Sequence, residues 1–123
     1  MAGVRFDTVT GNKVVGIGDN RFEQGTITLA AGADVAAGTA LKRAGAKFAP
    51  AEDGDTFVAV MPFDLKNDGE ASADLGFRAI VGGDVRKDAL TVGGAPITAA
   101  QADALRGYGI FAVPVTDLSR VNP

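Results

Sequence analysis

Histidine, cysteine and tryptophan are all missing from this sequence, and the gaps close off most active-site chemistry before any motif is sought. Without cysteine there is no disulfide, no thiolate nucleophile and no cysteine-based metal site. Without histidine there is no Ser-His-Asp or Cys-His apparatus, no imidazole proton shuttle near neutral pH and no usual zinc or iron ligand set. The expectation is therefore a protein that is not an enzyme and carries no cofactor or metal. Positive charge is also short. Twelve Lys and Arg stand against 15 Asp and Glu, giving a net charge of −3. The basic residues gather no further than the pairs Lys42-Arg43 and Arg86-Lys87, so the surface repels phosphates on average and no nucleic-acid partner is expected. No apolar run approaches the roughly 18 residues of a membrane span, and no basic segment leads into an apolar one at the start. Neither a membrane partner nor a signal peptide is expected, and synthesis in a cytoplasm is.

What the chain does hold is glycine and small apolar residues. A length of 123 residues suits one domain, and 46% hydrophobic residues with a mean hydropathy of +0.15 suit a folded one. The apolar share leans on Ala and Val while aromatics are only 7%, so a lean core that partners complete is expected. Seventeen glycines punctuate short alternating segments. Thr26-Ile27-Thr28-Leu29 alternates at the strand period, and a strand over 39–43 is followed by a tight return at Gly45 into Lys47-Phe48-Ala49. The cluster Glu52-Asp53-Gly54-Asp55 signals a turn, after which Thr56-Phe57-Val58-Ala59-Val60-Met61 fits a strand buried on both faces and stopped by Pro62. A polar loop, Asn67-Asp68-Gly69-Glu70, leads to Phe77-Arg78-Ala79-Ile80-Val81, and Gly82-Gly83 marks a bend or bulge before Val85. A last strand is expected over 110–115.

One helix interrupts this pattern, over 99–106. Thr98 has N-cap chemistry, Gln101 stands where it closes a capping box, and Ile97 stands where a hydrophobic staple reaches Ala102. Gly107 and Gly109 end it. So short a helix does not persist alone in water, so it is expected to dock a face of Ala residues and Leu105 on a β core. The sum is a mainly β domain of short, sharply bent strands with one short α-helix.

Motifs that would carry chemistry fail on their own terms. Gly16-Ile17-Gly18 lacks the third glycine and the following helix of a dinucleotide fingerprint. Asp64, Asp68 and Gly69 fit three places of a calcium loop, but Lys66 takes a ligand position and Leu75 stands where a bidentate Glu is required. The acidic turn at Glu52 to Asp55 reads as a solvated hairpin turn. Nothing fixes two carboxylates at a glycosidase spacing. Ser72 and Ser119 lack a neighbouring base, and Lys87 beside Asp88 reads as an exposed strand end.

From about residue 34 to 110 the order of features resembles the lambda-type bacteriophage head decoration, or capsid cement, proteins. Ala37-Gly38-Thr39-Ala40-Leu41 leads to a short strand, and the Asp53-Gly54 turn precedes Phe57-Val58-Ala59-Val60. A strand then enters Gly83-Asp84-Val85-Arg86-Lys87-Asp88-Ala89-Leu90, and the helix with its closing Gly109-Ile110 follows. Gly83 to Leu90 together with the helix is the most specific part. The resemblance implies a β-clip or β-tulip fold and a homotrimer on the outer capsid surface at local three-fold positions. It further implies the major capsid protein as partner, a virion location after synthesis in the host cytoplasm, stabilisation of the DNA-filled head, and no catalysis.

The N-terminal 24 residues read as an arm or hairpin ahead of a β domain over 25–123. Val4, Arg5, Phe6 and Asp7 form one alternating burst and Val14, Val15 and Ile17 belong to another, separated by the turn residues Thr10-Gly11-Asn12. These residues can add strands to a capsid sheet edge, with backbone bonds giving strength and alternate side chains giving register. They can equally pair within their own domain. The first 25 residues are more strand-like than the family's flexible polar arm, and the tail 111–123 extends past the family's close, so either terminus can make the contact. Two other classes compete. A biotinyl or lipoyl carrier domain shares small-residue strands such as Val35-Ala36-Ala37-Gly38-Thr39-Ala40-Leu41, but it needs a lysine at a hairpin tip between Met, Asp or Ala neighbours that Lys42, Lys47 and Lys66 lack. A glycan-binding surface module needs two or three exposed aromatics on one face, from a chain with one Tyr and seven Phe.

Overall fold

The computed structural model describes residues 15–114. Its strands are β1 (Gly16–Leu29), β2 (Asp34–Val35), β3 (Ala40–Ala44), β4 (Lys47–Pro50), β5 (Ala59–Val60), β6 (Leu65–Lys66), β7 (Ala73–Arg86), β8 (Thr91–Val92), β9 (Ala95–Pro96) and β10 (Ile110–Val113). A 3-10 turn, Lys87–Ala89, follows β7, and the helix α1 spans Ala99–Arg106. The fold is mainly β with one short helix.

Two long strands organise the rest. β1 and β7 run antiparallel from the pair Leu29 with Ala73 to the pair Gly16 with Val85. β3 and β4 form a hairpin around Gly45, β5 lies antiparallel to β3, and Val60 of β5 pairs with Ile80 of β7. On the other side Ile27 of β1 pairs in parallel with Phe48 of β4. The path β1-β4-β3-β5-β7 therefore returns to β1, and the sheet closes on itself. β10 adds in parallel to the far end of β7. β2 with β6 and β8 with β9 make two small ribbons.

Alternation along these strands produces two cores. Ala40, Val60 and Ile80 face a first core with Val15, Phe57, Val85, Leu90, Leu105 and Ile110. Their neighbours Leu41, Ala59 and Ala79 face a second with Ile27, Leu29, Phe48, Met61 and Phe77. β3, β5 and β7 thus lie between the cores, and the segment at 57–61 is buried on both faces as its continuous apolar sequence requires. Regular pairing there covers only Ala59–Val60. The flanks bond irregularly, Val58 N–H donating to Leu41 at 2.8 Å and Met61 N–H to Thr39 at 2.9 Å.

The bend expected at Gly82-Gly83 is a bulged stretch of the β1–β7 ladder. The register shifts between Ile17 and Arg21 and again between Arg21 and Phe22. Gly83 sits at φ +99°, a left-handed conformation that a side chain would strain. The helix also forms where the sequence places it. Thr98 Oγ1 accepts from Gln101 N–H at 3.2 Å, and Gln101 Oε1 accepts from Thr98 N–H at 2.9 Å. Ile97 is buried, and Ala102 packs against the same core. Docking rests on Leu105 and Ala102, not on a broad alanine face, because Ala99, Ala100 and Ala104 are exposed.

β1 runs through residue 24, so the boundary expected there falls inside a strand. The polar loop expected at Asn67 is anchored in the interior. Asn67 is buried, and its amide donates to the carbonyls of Leu29 and Ala71, both at 2.9 Å, while its Oδ1 accepts from Gly69 N–H at 2.9 Å. It ties the end of β1 to the start of β7.

Replacing Asn67 with Ala orphans two carbonyls of that knot, and denaturant unfolding should show a loss of about 3 kcal/mol. Leu105→Ala should cost about 3 kcal/mol by leaving a cavity under the helix. Leu105→Asp should prevent docking altogether, because the carboxylate has no partner there; a normally folded Leu105→Asp protein would remove the docked-helix account.

Candidate assembly surface

Beyond the closed ring, β1, β7 and β10 continue as a three-stranded blade. Val85 of β7 has Gly16 of β1 on one side and Ala112 of β10 on the other. The next residue, Arg86, donates its N–H to the Val15 carbonyl at 2.8 Å and pairs with Val113. β1 is antiparallel to β7 and β10 is parallel to it, so the start of β1 and the end of β10 flank the end of β7. Adjacent strands are spaced by about 4.8 Å, so Val15 and Val113 lie about 10 Å apart, with the end of β7 between them.

Of the residues proposed for capsid contact, Val4, Arg5, Phe6, Asp7 and Val14 lie outside the described residues. Val15 is 1% exposed in the first core, and half-buried Ile17 pairs with Asp84. At Val15 and Ile17 one side of the strand therefore pairs within its own domain, with β7.

Three large apolar side chains are exposed instead: Phe22 at 43%, Tyr108 at 51% and Phe111 at 38%. Phe22 carries the Arg78 guanidinium 5.3 Å from its ring centre, and Phe111 carries that of Arg106 at 5.7 Å. The sequence holds a signal for two of them that the reading above missed. From Phe22 to Leu29 the ladder is unshifted, so Phe22 is out of phase with the buried Ile27 and Leu29 and points to the other face. Phe111 is likewise out of phase with Ile110 and Ala112, which pack on the first core.

The open backbone of the blade has two sides. β10 has β7 as its one strand neighbour, and β1 meets β4 through Ile27 alone, so the outer edges of Ile110–Val113 and of residues 16–24 have no strand partner among the described residues. The stretch at 18–20 is bulged, which blunts further backbone pairing at the β1 edge. Asn20 fills that bulge, donating to the Asp84 carbonyl at 2.8 Å.

Four ion pairs lie elsewhere on the surface. Lys42 meets Asp55 at 3.2 Å, Arg43 meets Glu23 at 2.7 Å, Lys47 meets Asp74 at 2.9 Å, and Arg86 meets Asp88 at 3.1 Å. Asp64 Oδ1 accepts from Ala37 N–H at 2.8 Å, a structural use of one calcium-loop candidate. No group of three potential metal-ligating side chains occurs among the described residues, and no helix there is long and apolar enough to cross a membrane. The arrangement offers surfaces for contact, with edges, aromatic rings and unpaired charges as its means. Comparison with family models, with curated proteins and with solved structures returns no match to this chain.

Two carboxyls are held below the usual Asp range. The Glu52 backbone N–H and then the Lys42 ammonium lower Asp55, and the Thr28 hydroxyl and then Lys47 lower Asp74. A carboxyl with a depressed folded pKa stabilises the fold above its unfolded value, and that stability disappears as pH falls through the lowered folded value. The denaturant midpoint should therefore drop below about pH 4, and the double variant Asp55→Asn with Asp74→Asn should lose less over the same range. Equal losses in the two proteins would remove these carboxyls as the cause.

Proposed function

We propose that this protein is a bacteriophage capsid decoration protein. In this reading a homotrimer binds the major capsid protein at local three-fold sites on the outer surface and stabilises the DNA-filled head. The β-clip or β-tulip description of the fold belongs to the same reading. The observation that carries it is that Val15 and Val113 flank the same tip of β7. A surface that receives residues 1–14 lies within reach of residues 115–123 as well, and three copies would present six such segments around one axis. Multivalent attachment of that kind turns weak single contacts into a strong clamp, because each later contact forms at high effective concentration. A three-fold junction also matches a three-fold ligand in symmetry. Support comes further from the features behind the resemblance, since the Gly83-to-Leu90 stretch and the capped helix are elements packed on one core.

The competing readings gain little. A carrier lysine must stand free at a hairpin tip, whereas Lys42 and Lys47 are paired with Asp55 and Asp74. A glycan platform needs its aromatics on one face, and the strand phases put Phe22 and Phe111 on opposite faces of the blade.

Co-sedimentation with undecorated phage heads tests the proposal. Saturable binding at three chains per local three-fold site is expected. A chain lacking residues 2–13 keeps the Val15 anchor and should fold normally while binding heads at least tenfold more weakly. Failure of the full-length chain to sediment with any undecorated head would overturn the proposal.

A further inference from the structure

Opposite placement of the two aromatic patches can be read from the ladder. Phe22 pairs with Ile80, so the two share a sheet face, and Ile80 packs on the first core. Phe111 pairs with Asp84, whose neighbour Val85 packs on that same core. Asp84 and Phe111 therefore look away from the first core, while Phe22 lies on the face that looks toward it, out beyond the core's edge. One patch belongs to the open side of β1 and the other to the open side of β10 and the end of α1, where Tyr108 and Arg106 flank Phe111.

Their charges differ as well. Arg78 lies over Phe22 and makes no salt bridge among the described residues. Asp84 stands beside Phe111, and Asp103 lies one turn before Arg106 on the same helix; neither carboxylate is paired among the described residues. The Phe22 patch meeting its own copy across a two-fold axis would set Arg78 against a second Arg78. Meeting the other patch sets it against the carboxylates of Asp84 and Asp103, which outnumber the Arg106 guanidinium there.

We infer that copies of this chain join head to tail, the Phe22 and Arg78 side of one copy packing against the Tyr108 and Phe111 side of the next. Such an interface is heterologous, and it closes into a ring when the rotation between copies allows it, whereas a two-fold dimer needs one self-complementary patch. It also covers the apolar rings on both open edges, which would otherwise promote unregulated association. The inference rests on the self-association included in the proposed function and names the surfaces that perform it.

The test uses light-scattering mass of the full chain and of Phe22→Asp and Phe111→Asp, each checked for native circular dichroism. Both positions are exposed, so both variants should fold. The unmodified chain should run as a closed multimer, and each variant as a single chain. An equimolar mixture of the two variants should form a two-chain species, because one intact patch of each kind remains between the different copies while the ring can no longer close. The inference is overturned by an unmodified chain that stays single, by a variant that keeps the multimer, or by a mixture still single well above the concentration at which the unmodified chain associates. Sedimentation with heads separates the two proposals. A multimer that ignores heads sinks the decoration reading and leaves this interface standing, whereas a single chain that binds heads does the reverse.

Discussion

A slip of one residue between β1 and β7 would turn Ile27 and Phe77 out of the second core and Ile80 out of the first, because side chains on paired strands alternate between faces. Both cores therefore depend on one register, and several contacts pin it. Asn20 reaches across the bulge to the carbonyls of Gly82 and Asp84. At the other end Thr28, Asp74 and Lys47 join β1, β7 and β4 through side chains. Between them Phe48 lies over Gly25, where an added Cβ would come within 2.5 Å of the ring, and meets Phe77 with ring centres 5.7 Å apart. Closure of the sheet is thus an aromatic contact as much as a hydrogen-bonded one.

What was legible in the sequence is what is local. The capping box at Thr98 and Gln101 is written within four residues, and the structure makes both of its hydrogen bonds. The Gly45 hairpin and the doubly buried 57–61 segment are equally local, since the turn residue or the unbroken apolar run states them directly. The pairing of β1 with β7 is not. Its partners are far apart in the chain, and nothing local to the strand-like bursts of the first 25 residues names β7 as their partner. Asn67 was hidden for a related reason. A buried amide and a solvated turn residue are the same letter, and the carbonyls that distinguish them belong to Leu29 and Ala71. For the candidate surface, residue types gave no help, but strand phase would have separated Phe22 from the core once the register at Ile27 and Leu29 was known.

The distribution of aromatic rings bears on why a lean interior suffices. Phe48, Phe57 and Phe77 are buried, while Phe22, Tyr108 and Phe111 lie outside. The first core packs around the single Phe57 with mostly Ala, Val, Leu and Ile. Moving rings outward costs the isolated domain apolar burial, roughly 2 kcal/mol for each large side chain left in water. That cost would be recovered where another surface covers them.

The two kinds of contact proposed for this chain use different parts of the same blade, and that separation has a physical consequence. Edges carrying Phe22 and Phe111 lie to the sides of β7, whereas Val15 and Val113 meet at its tip, at Arg86. Side contacts between copies would leave the tip uncovered, so self-association and attachment to a common surface need not compete for the same atoms. Side contacts would also fix the spacing of the terminal segments before any surface is met, which lowers the ordering cost of the later step. The rigid part of that device is the bulged ladder with Gly83 and Asn20 at its centre, because it sets the faces on which the two rings stand.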